Sequence, residues 1–327
     1  MTSKPRVLIF TYREDPHSSA VIAELNKLDV NYTEICNEIF PFSESFDILF
    51  SDSLKGKIIS EHNNIEIKNI SAIWCRRILE VENTYGYNRE DISFINFERK
   101  QTINGFFSIY PGFILCNPVY VKIAQNKILQ LKRARFFGLK IPNTLISSNY
   151  KSIVDFKKKN NSRIIYKPHR LALFNVNNVD VASYVKILDD SYFAQKESFE
   201  TTTGIYQEYI EKKAELRATV VGNEVFCCKM DTQASNETKY DFRKYDFDNV
   251  NHTRFELDNE IKRLLVKLVS SFNLYYASID LILTLNNEIV FLDLNPNGQW
   301  LWTEKLANLP ISKAIAKLLY NESKFYQ

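Results

Sequence analysis

Phe291-Leu-Asp-Leu-Asn-Pro-Asn-Gly-Gln-Trp-Leu-Trp302 is the stretch that decides how this 327-residue chain is read. Glu288-Ile-Val-Phe-Leu-Asp-Leu, which overlaps its start, has the apolar character of a buried strand, and Pro296-Asn297-Gly298 is a turn signal that ends it. Asp293 and Asn295 lie two apart, so a pleated strand projects both from one face. A second apolar run, Tyr276-Ala-Ser-Ile-Asp-Leu-Ile-Leu283, carries Asp280 in its middle. A carboxylate inside such a run is costly to bury unless it finds a cation or donors. Two carboxylates and an amide oxygen from neighbouring strands make a hard-oxygen set suited to Mg2+. The competing reading is that Asp293 and Asn295 only cap a turn, the common use of Asp-x-Asn-Pro.

Around this stretch the composition is that of a globular protein, 45% hydrophobic and 25% charged, with a length that predicts two or three domains or subdomains. The net charge of +3, with Lys and Arg spread among Asp and Glu, gives no case for a nucleic-acid partner. No apolar run is long enough for a membrane span, and Met1 leads so directly into a strand that no signal peptide is expected. Cys36, Cys75, Cys116, Cys227 and Cys228 form no CxxC pair, a pattern that predicts reduced thiols in a cytoplasm. The four His lack zinc-ligand spacing.

Taken in order, Arg6-Val-Leu-Ile-Phe-Thr reads as a strand, residues 17–28 as a helix and residues 30–35 as a strand, an opening βαβ unit. Residues 57–60 and 65–67 read as a hairpin, residues 71–75 as a strand ending on Arg76-Arg77, and residues 91–109 as a helix. Adjacent arginines at a strand's C-terminal end lie where open α/β sheets bind ligands, and their forked donors suit a carboxylate; a surface ion pair is the alternative. A helix is predicted over residues 124–137, with Ile128, Leu131 and Arg135 on its buried stripe. Beyond it, Ser162-Arg-Ile-Ile-Tyr-Lys-Pro is a strand ending on Lys167, a lysine that either snorkels to solvent or meets a phosphate. Gly222-Asn223 joins two alternating runs as a tight hairpin. The polar segment 231–251, with Asp241-Phe-Arg-Lys-Tyr-Asp246, reads as a mobile or substrate-facing loop, and helices follow over residues 258–272 and 311–320.

Lys127, Lys167, Gln207-Glu-Tyr-Ile210, Glu215-Leu-Arg217, Asp280 and Asp293-x-Asn295 stand in the order and approximate spacing of the ATP-grasp ligases, which residues 119–327 thus resemble. The opening α/β unit resembles the pre-grasp domain that precedes them. Asn295-Pro-Asn-Gly-Gln-Trp-Leu-Trp302, Ala72-Ile-Trp-Cys-Arg-Arg77 and Asp241-Phe-Arg-Lys-Tyr-Asp246 look like a narrower group, the peptide maturases of the microviridin and graspetide type. The resemblance implies a mixed α/β (α+β) ATP-grasp fold, with a pre-grasp domain over 1–118, a central subdomain over 119–202 and a C-terminal subdomain over 203–327. It further implies a cytoplasmic enzyme, possible homodimers, and a precursor peptide, leader plus core, as partner.

Site roles follow from the same resemblance. Lys127 and Lys167 would neutralise the phosphates of ATP, the hinge Gln207, Glu208, Tyr209 and Ile210 would take the adenine, and Glu215 the ribose. Arg217 and Arg243 would meet the γ-phosphate or an acyl phosphate. Asp280, Asp293 and Asn295 would hold Mg2+, and Arg76 and Arg77 an acidic side chain of the peptide. The implied reaction is ADP-forming: a peptide Asp or Glu is activated as an acyl phosphate, then attacked by a Ser or Thr hydroxyl or a Lys amine, with esters the expected product. Leader recognition is expected between about residues 170 and 200, by β-augmentation or groove binding. The chain departs from the pattern in having no glycine-rich loop after Lys167, Asp293 where many relatives have Glu, and no evident general base. Two other readings share these features: a small-molecule carboxylate–amine ligase, and a non-catalytic peptide-binding protein on a decayed grasp fold.

Overall fold

Val7-Leu-Ile-Phe10 is buried on both faces, and the alternation of its side chains sorts it into two cores. Val7 and Ile9 join Val21, Leu25 and Trp74 on one side, while Leu8 and Phe10 meet Ile103, Phe106 and Phe107 on the other. A strand covered this way belongs in the middle of a parallel sheet. In the computed structural model, Arg6–Thr11 lies between Asn31–Cys36 and Ala72–Cys75, with Phe113–Leu115 beyond, all parallel. The residues described are 6–36, 44–60, 64–80, 86–161, 163–169, 173–176, 179–182, 185–234 and 249–325. No helix among them is long and apolar enough to cross a membrane.

Two antiparallel sheets follow. The first has the order Lys186–Ile187, Ile164–Lys167, Gly204–Glu208, Thr144–Ser147. The second has the order His252–Arg254, Glu224–Met230, Lys212–Val221, Tyr276–Thr284, Ile289–Asn295. The predicted hairpin is there, with Val221 opposite Glu224 and Gly222 at φ +58, a left-handed conformation that glycine adopts without strain. The strand Gly204–Glu208, which the sequence reading places in the C-terminal subdomain, pairs instead on both sides within the first of these sheets.

Three further differences have local causes. Residues 44–50 form a strand that the sequence reading leaves unassigned, and the predicted hairpin is its outer part: Glu44–Phe50, Leu54–Ser60 and Asn64–Glu66 make a three-stranded sheet. A two-stranded hairpin, Leu173–Val176 with Val179–Ala182, occupies a region likewise left unassigned. The helix predicted over 124–137 is broken. Pro118–Ala124 is one short helix, and Lys127–Phe136 starts anew because the Asn126 side chain accepts from the Leu129 amide at 3.0 Å. That restart turns its buried stripe onto Gln130, Leu131 and Ala134, and leaves Ile128 half exposed and Arg135 in solvent.

The two ends of the chain share one core. The last helix, Ile311–Ser323, packs on the first, Pro16–Lys27, and Ile311, Ile315 and Leu319 bury against the cluster that holds Val21 and Leu25. The N-terminal sheet is thereby bonded to the C-terminal half through side chains nearly 300 positions apart.

Candidate functional site

One row of cross-strand neighbours carries most of the polar chemistry. Arg217 stands opposite Asp280, and Asp280 opposite Asp293, on three adjacent strands of the five-stranded sheet. Arg217 donates from Nη1 to Asp280 Oδ1 at 2.6 Å, and Asn295 Nδ2 lies 3.4 Å from Asp280 Oδ2. Lys127, the first residue of its helix, reaches Asp293 Oδ2 at 3.3 Å. A lysine at a helix N-terminus adds to the positive end of the dipole, so the two together favour an anion beside Asp293. Asp280, Asp293 and Asn295 thus lie together, two carboxylates and an amide on one face.

Gln130 holds this row in place, and sequence reasoning missed it. Its side-chain amide donates to the Leu294 carbonyl at 2.8 Å and accepts from the Leu294 amide at 3.0 Å, pairing like one more strand at that residue. The backbone between Asp293 and Asn295 is thus locked to the helix that carries Lys127. A glutamine on the apolar stripe of a helix was the available signal, since buried amides must find partners.

The opposite wall of the cleft comes from the four-stranded sheet. Lys167 is buried and donates to the Leu292 carbonyl at 3.1 Å, joining the two walls. Gln207, Glu208, Tyr209 and Ile210 line the crossing between the sheets. Glu208 accepts from the Asn143 backbone amide at 2.9 Å and from its side chain at 2.8 Å, which fixes the hinge, and Arg163 stacks on the Tyr209 ring at 4.4 Å. Glu215 lies further along the same cleft, ion-paired with Lys212. The cleft holds about 770 Å³ of open space counting its mouth, within the range of small-ligand sites. Ile165, Ile187, Ile282 and Leu292 give it apolar faces.

The residues fit the groups that this arrangement suggests. Gln207 donates to Thr144 Oγ1, yet its buried Oε1 meets no donor among the described residues. An acceptor left bare in an apolar cleft suits the amino group of an adenine. Among the described residues no group of three or more His, Cys, Asp or Glu could hold a metal. Two carboxylates and an amide instead suit Mg2+, which takes few protein ligands and completes its octahedron with phosphate and water.

Arg76 corrects the expectation of an arginine pair waiting at an open sheet edge. It is 1% exposed, with Nε 3.4 Å from Asp15 Oδ2, Nη1 donating to Asn297 Oδ1 at 2.9 Å, and its guanidinium over the Trp300 ring. The cause is the helix Pro16–Lys27, whose capping residue Asp15 points its carboxylate beneath the sheet edge. Arg77 is only half buried. The turn after Asn295 is therefore held at three successive residues: Arg76 on Asn297, Tyr276 Oη on the Gly298 carbonyl at 2.7 Å, and Arg217 Nη2 on the Gln299 carbonyl at 3.4 Å. Burial raises the Tyr276 phenol well above its ordinary value, so it stays a donor. Gly298 is needed for this approach, since a Cβ there would lie 2.6 Å from Ser278 Cβ and 2.7 Å from Arg217 Nη2. Arg243 and the rest of Asp241-Phe-Arg-Lys-Tyr-Asp246 lie outside the described residues.

A RimK-like ATP-grasp domain model matches residues 124–319, and an MvdD pre-ATP-grasp domain model matches residues 6–118. No curated protein matches the sequence. Among solved structures, a Chryseobacterium gregarium RiPP-associated ATP-grasp ligase, in complex with ADP and a leader and core peptide, has a TM-score of 0.90 at 24% identity, over 97% of each chain. The macrocyclase MdnC from Microcystis aeruginosa MRC, bound with precursor peptide MdnA, has a TM-score of 0.85 at 26% identity, over 97% of this chain and 99% of that one. The D-alanine–D-alanine ligase from Bacillus anthracis, complexed with ATP, is more distant, with a TM-score of 0.57 at 13% identity over 99% and 98%.

Proposed function

The chain belongs to the RimK-like ATP-grasp family, and from that premise we propose that it is an ADP-forming ligase that closes rings in a ribosomally made precursor peptide. The observation that supports this most is the joint match of a pre-grasp domain of the MvdD type and a grasp domain, in a chain that follows MdnC over nearly its whole length. Small-molecule ligation is favoured less, because the D-alanine ligase fold fits far more loosely.

In this reading ATP supplies the phosphoryl group that turns a peptide Asp or Glu into an acyl phosphate, and Mg2+ offsets the phosphate charge. Gln207 accepts from the adenine, while the backbone of Glu208 to Ile210 borders it and the Glu208 side chain keeps that backbone still. Lys127 and Lys167 reach in from opposite walls and bind phosphate oxygens. Asp280, Asp293 and Asn295 hold the metal. Arg217, rigid between Asp280 and Gln299, presents its guanidinium to the transferring or leaving phosphate. A hydroxyl or amine of the peptide then displaces phosphate, and each linkage removes one water. Arg77 remains the candidate for gripping the acidic side chain. The leader docks between residues 170 and 200, where the hairpin Leu173–Val176 with Val179–Ala182 pairs with no other described strand and offers an edge for β-augmentation. The five cysteines are free, which suits a cytoplasmic location.

The test is mass spectrometry of a precursor peptide incubated with enzyme, ATP and Mg2+. The expected product is lighter by one water per linkage, with ADP and phosphate released, and its esters revert in mild alkali whereas amides survive. The folded Asp293→Asn protein should form no such product. Release of AMP, or ADP formation with free amino acids and none with any peptide, refutes the proposal.

A further inference from the structure

The strand Ile289–Asn295 changes face at Leu292. Phe291 and Leu294 both bury in the core behind the sheet, yet Leu292 and Asp293 between them both line the cleft. Simple alternation from Leu294 would put Leu292 in that core and Phe291 in the cleft beside Asp293. The pairing with Tyr276–Thr284 shows how this is avoided. Asp280 stands opposite Asp293 and Leu281 opposite Phe291, so Leu292 is one extra residue, a β-bulge. The strand can therefore bury an aromatic ring before the bulge and present Asp293 and Asn295 to the cleft after it.

A bulge disrupts the ladder and bends its strand, so the spacing of Asp293 and Asn295 from Asp280 depends on what holds the outer edge. This strand is the last of its sheet, and that edge meets no further strand of it. Before the bulge Lys140 holds the edge, its carbonyl accepting from the Phe291 amide at 2.8 Å. After the bulge Gln130 holds it at Leu294, the residue between Asp293 and Asn295, by both backbone groups. Gln130 is itself fixed. It is 2% exposed, its side-chain amide also donates to the Ala124 carbonyl at 2.6 Å, and Asn126 caps its helix. We propose that Gln130 is a positioning residue for the divalent cation: pinning the strand beyond the bulge sets Asp293 and Asn295 at the spacing from Asp280 that a small, strictly octahedral ion requires. The inference rests on the reading of Asp280, Asp293 and Asn295 as the Mg2+ site.

Mn2+ is the probe, since it takes the same oxygen ligands and its free form is counted by electron paramagnetic resonance. Titrated into the full chain with saturating ADP, the wild type should take up Mn2+ beyond what ADP alone holds. Gln130→Met, of similar length but with nothing to bond Leu294, should weaken that uptake about 10–100-fold, the usual cost of losing a residue that orients metal ligands. Its affinity for ADP in EDTA should stay within about threefold, because Asn126 still starts the helix that carries Lys127. Gln130→Asn, a methylene too short to reach Leu294, should show the same split and serves if the Met variant fails to fold. A lower melting temperature with Mn2+ affinity unchanged overturns the inference, since Gln130 would then be purely structural. Equal weakening of ADP with and without metal also overturns it, because the effect would run through Lys127. A wild type that takes up no Mn2+ beyond that of ADP instead removes the metal reading itself, and the inference with it.

Discussion

Two buried Arg–Asp pairs hold the turn Pro296–Gln299, one on each side, and they differ in what else they touch. Arg217–Asp280 opens onto the cleft: Asp280 is 14% exposed, shares its carboxylate with Asn295, and lies across the strand from Asp293. Arg76–Asp15 is closed off: Asp15 also caps a helix and accepts from Thr11 Oγ1 at 2.9 Å, and Trp300 covers the guanidinium. Both are the same chemistry. The open pair keeps a charge available to a ligand, and the closed pair spends its charge on the protein. The comparison teaches that a buried ion pair can serve placement or reactivity depending on whether one partner still reaches water.

The closed pair should fail by unfolding. Arg76→Met leaves the buried Asp15 carboxylate without its paired guanidinium, and a loss of about 3–5 kcal/mol in chemical denaturation is expected. A change below ~1 kcal/mol would erase the distinction drawn between the pairs. The open pair should fail by losing function. Arg217→Met should lower peptide processing about 10²–10³-fold, the effect of removing one transition-state donor, with a melting temperature near that of the wild type. Between them lies Gly298→Ala, whose Cβ must push the turn away from Ser278 and Arg217. Its expected cost is about 1–3 kcal/mol, read by denaturation, together with a clear loss of turnover.

The smallest effect is a pH dependence confined to the closed side. His17 is buried with its ring 4.3 Å from Trp300, and burial, then the nearby Arg76 charge, pull its pKa from 6.5 to about 4. The unfolded chain therefore binds a proton that the folded one refuses, and stability present above pH 6.5 is lost as the pH falls towards 4. One unit below 6.5 the loss is about 1.4 kcal/mol. His17→Gln should flatten that slope in denaturation measured between pH 7 and 5.5, and an unchanged slope would assign it to other groups.

Much of the site is legible in the sequence because its residues are local and patterned. Asp293 and Asn295 share a strand face by simple alternation, and Asp280 announces itself as a carboxylate in an apolar run. What is not legible depends on contacts between distant positions. Arg76 beside Arg77 looks like a ligand pair until Asp15 and Asn297, 61 residues before and 221 after, are seen to pair with its guanidinium in the interior. Gln130 becomes meaningful only when Leu294 is placed against it. The burial of Lys212 goes unread because the bulge that turns it inward has no signature of its own in Lys-Lys-Ala-Glu. The helix break at Asn126 is different: an Asn before Lys-Ile-Leu is a recognisable cap, and the apolar period across it hides the stop.

The joining of the first and last helices has a consequence for how the chain is made. Val21 and Leu25 leave the ribosome nearly 300 residues ahead of Ile315 and Leu319, which cover them. At roughly 5–20 residues per second the wait is on the order of a quarter of a minute to a minute. During that interval the flank of the parallel sheet that these residues cover is expected to stay bare. A nascent chain stalled at residue 300 should therefore be a substrate for chaperones, and release of the helix Ile311–Ser323 should free it.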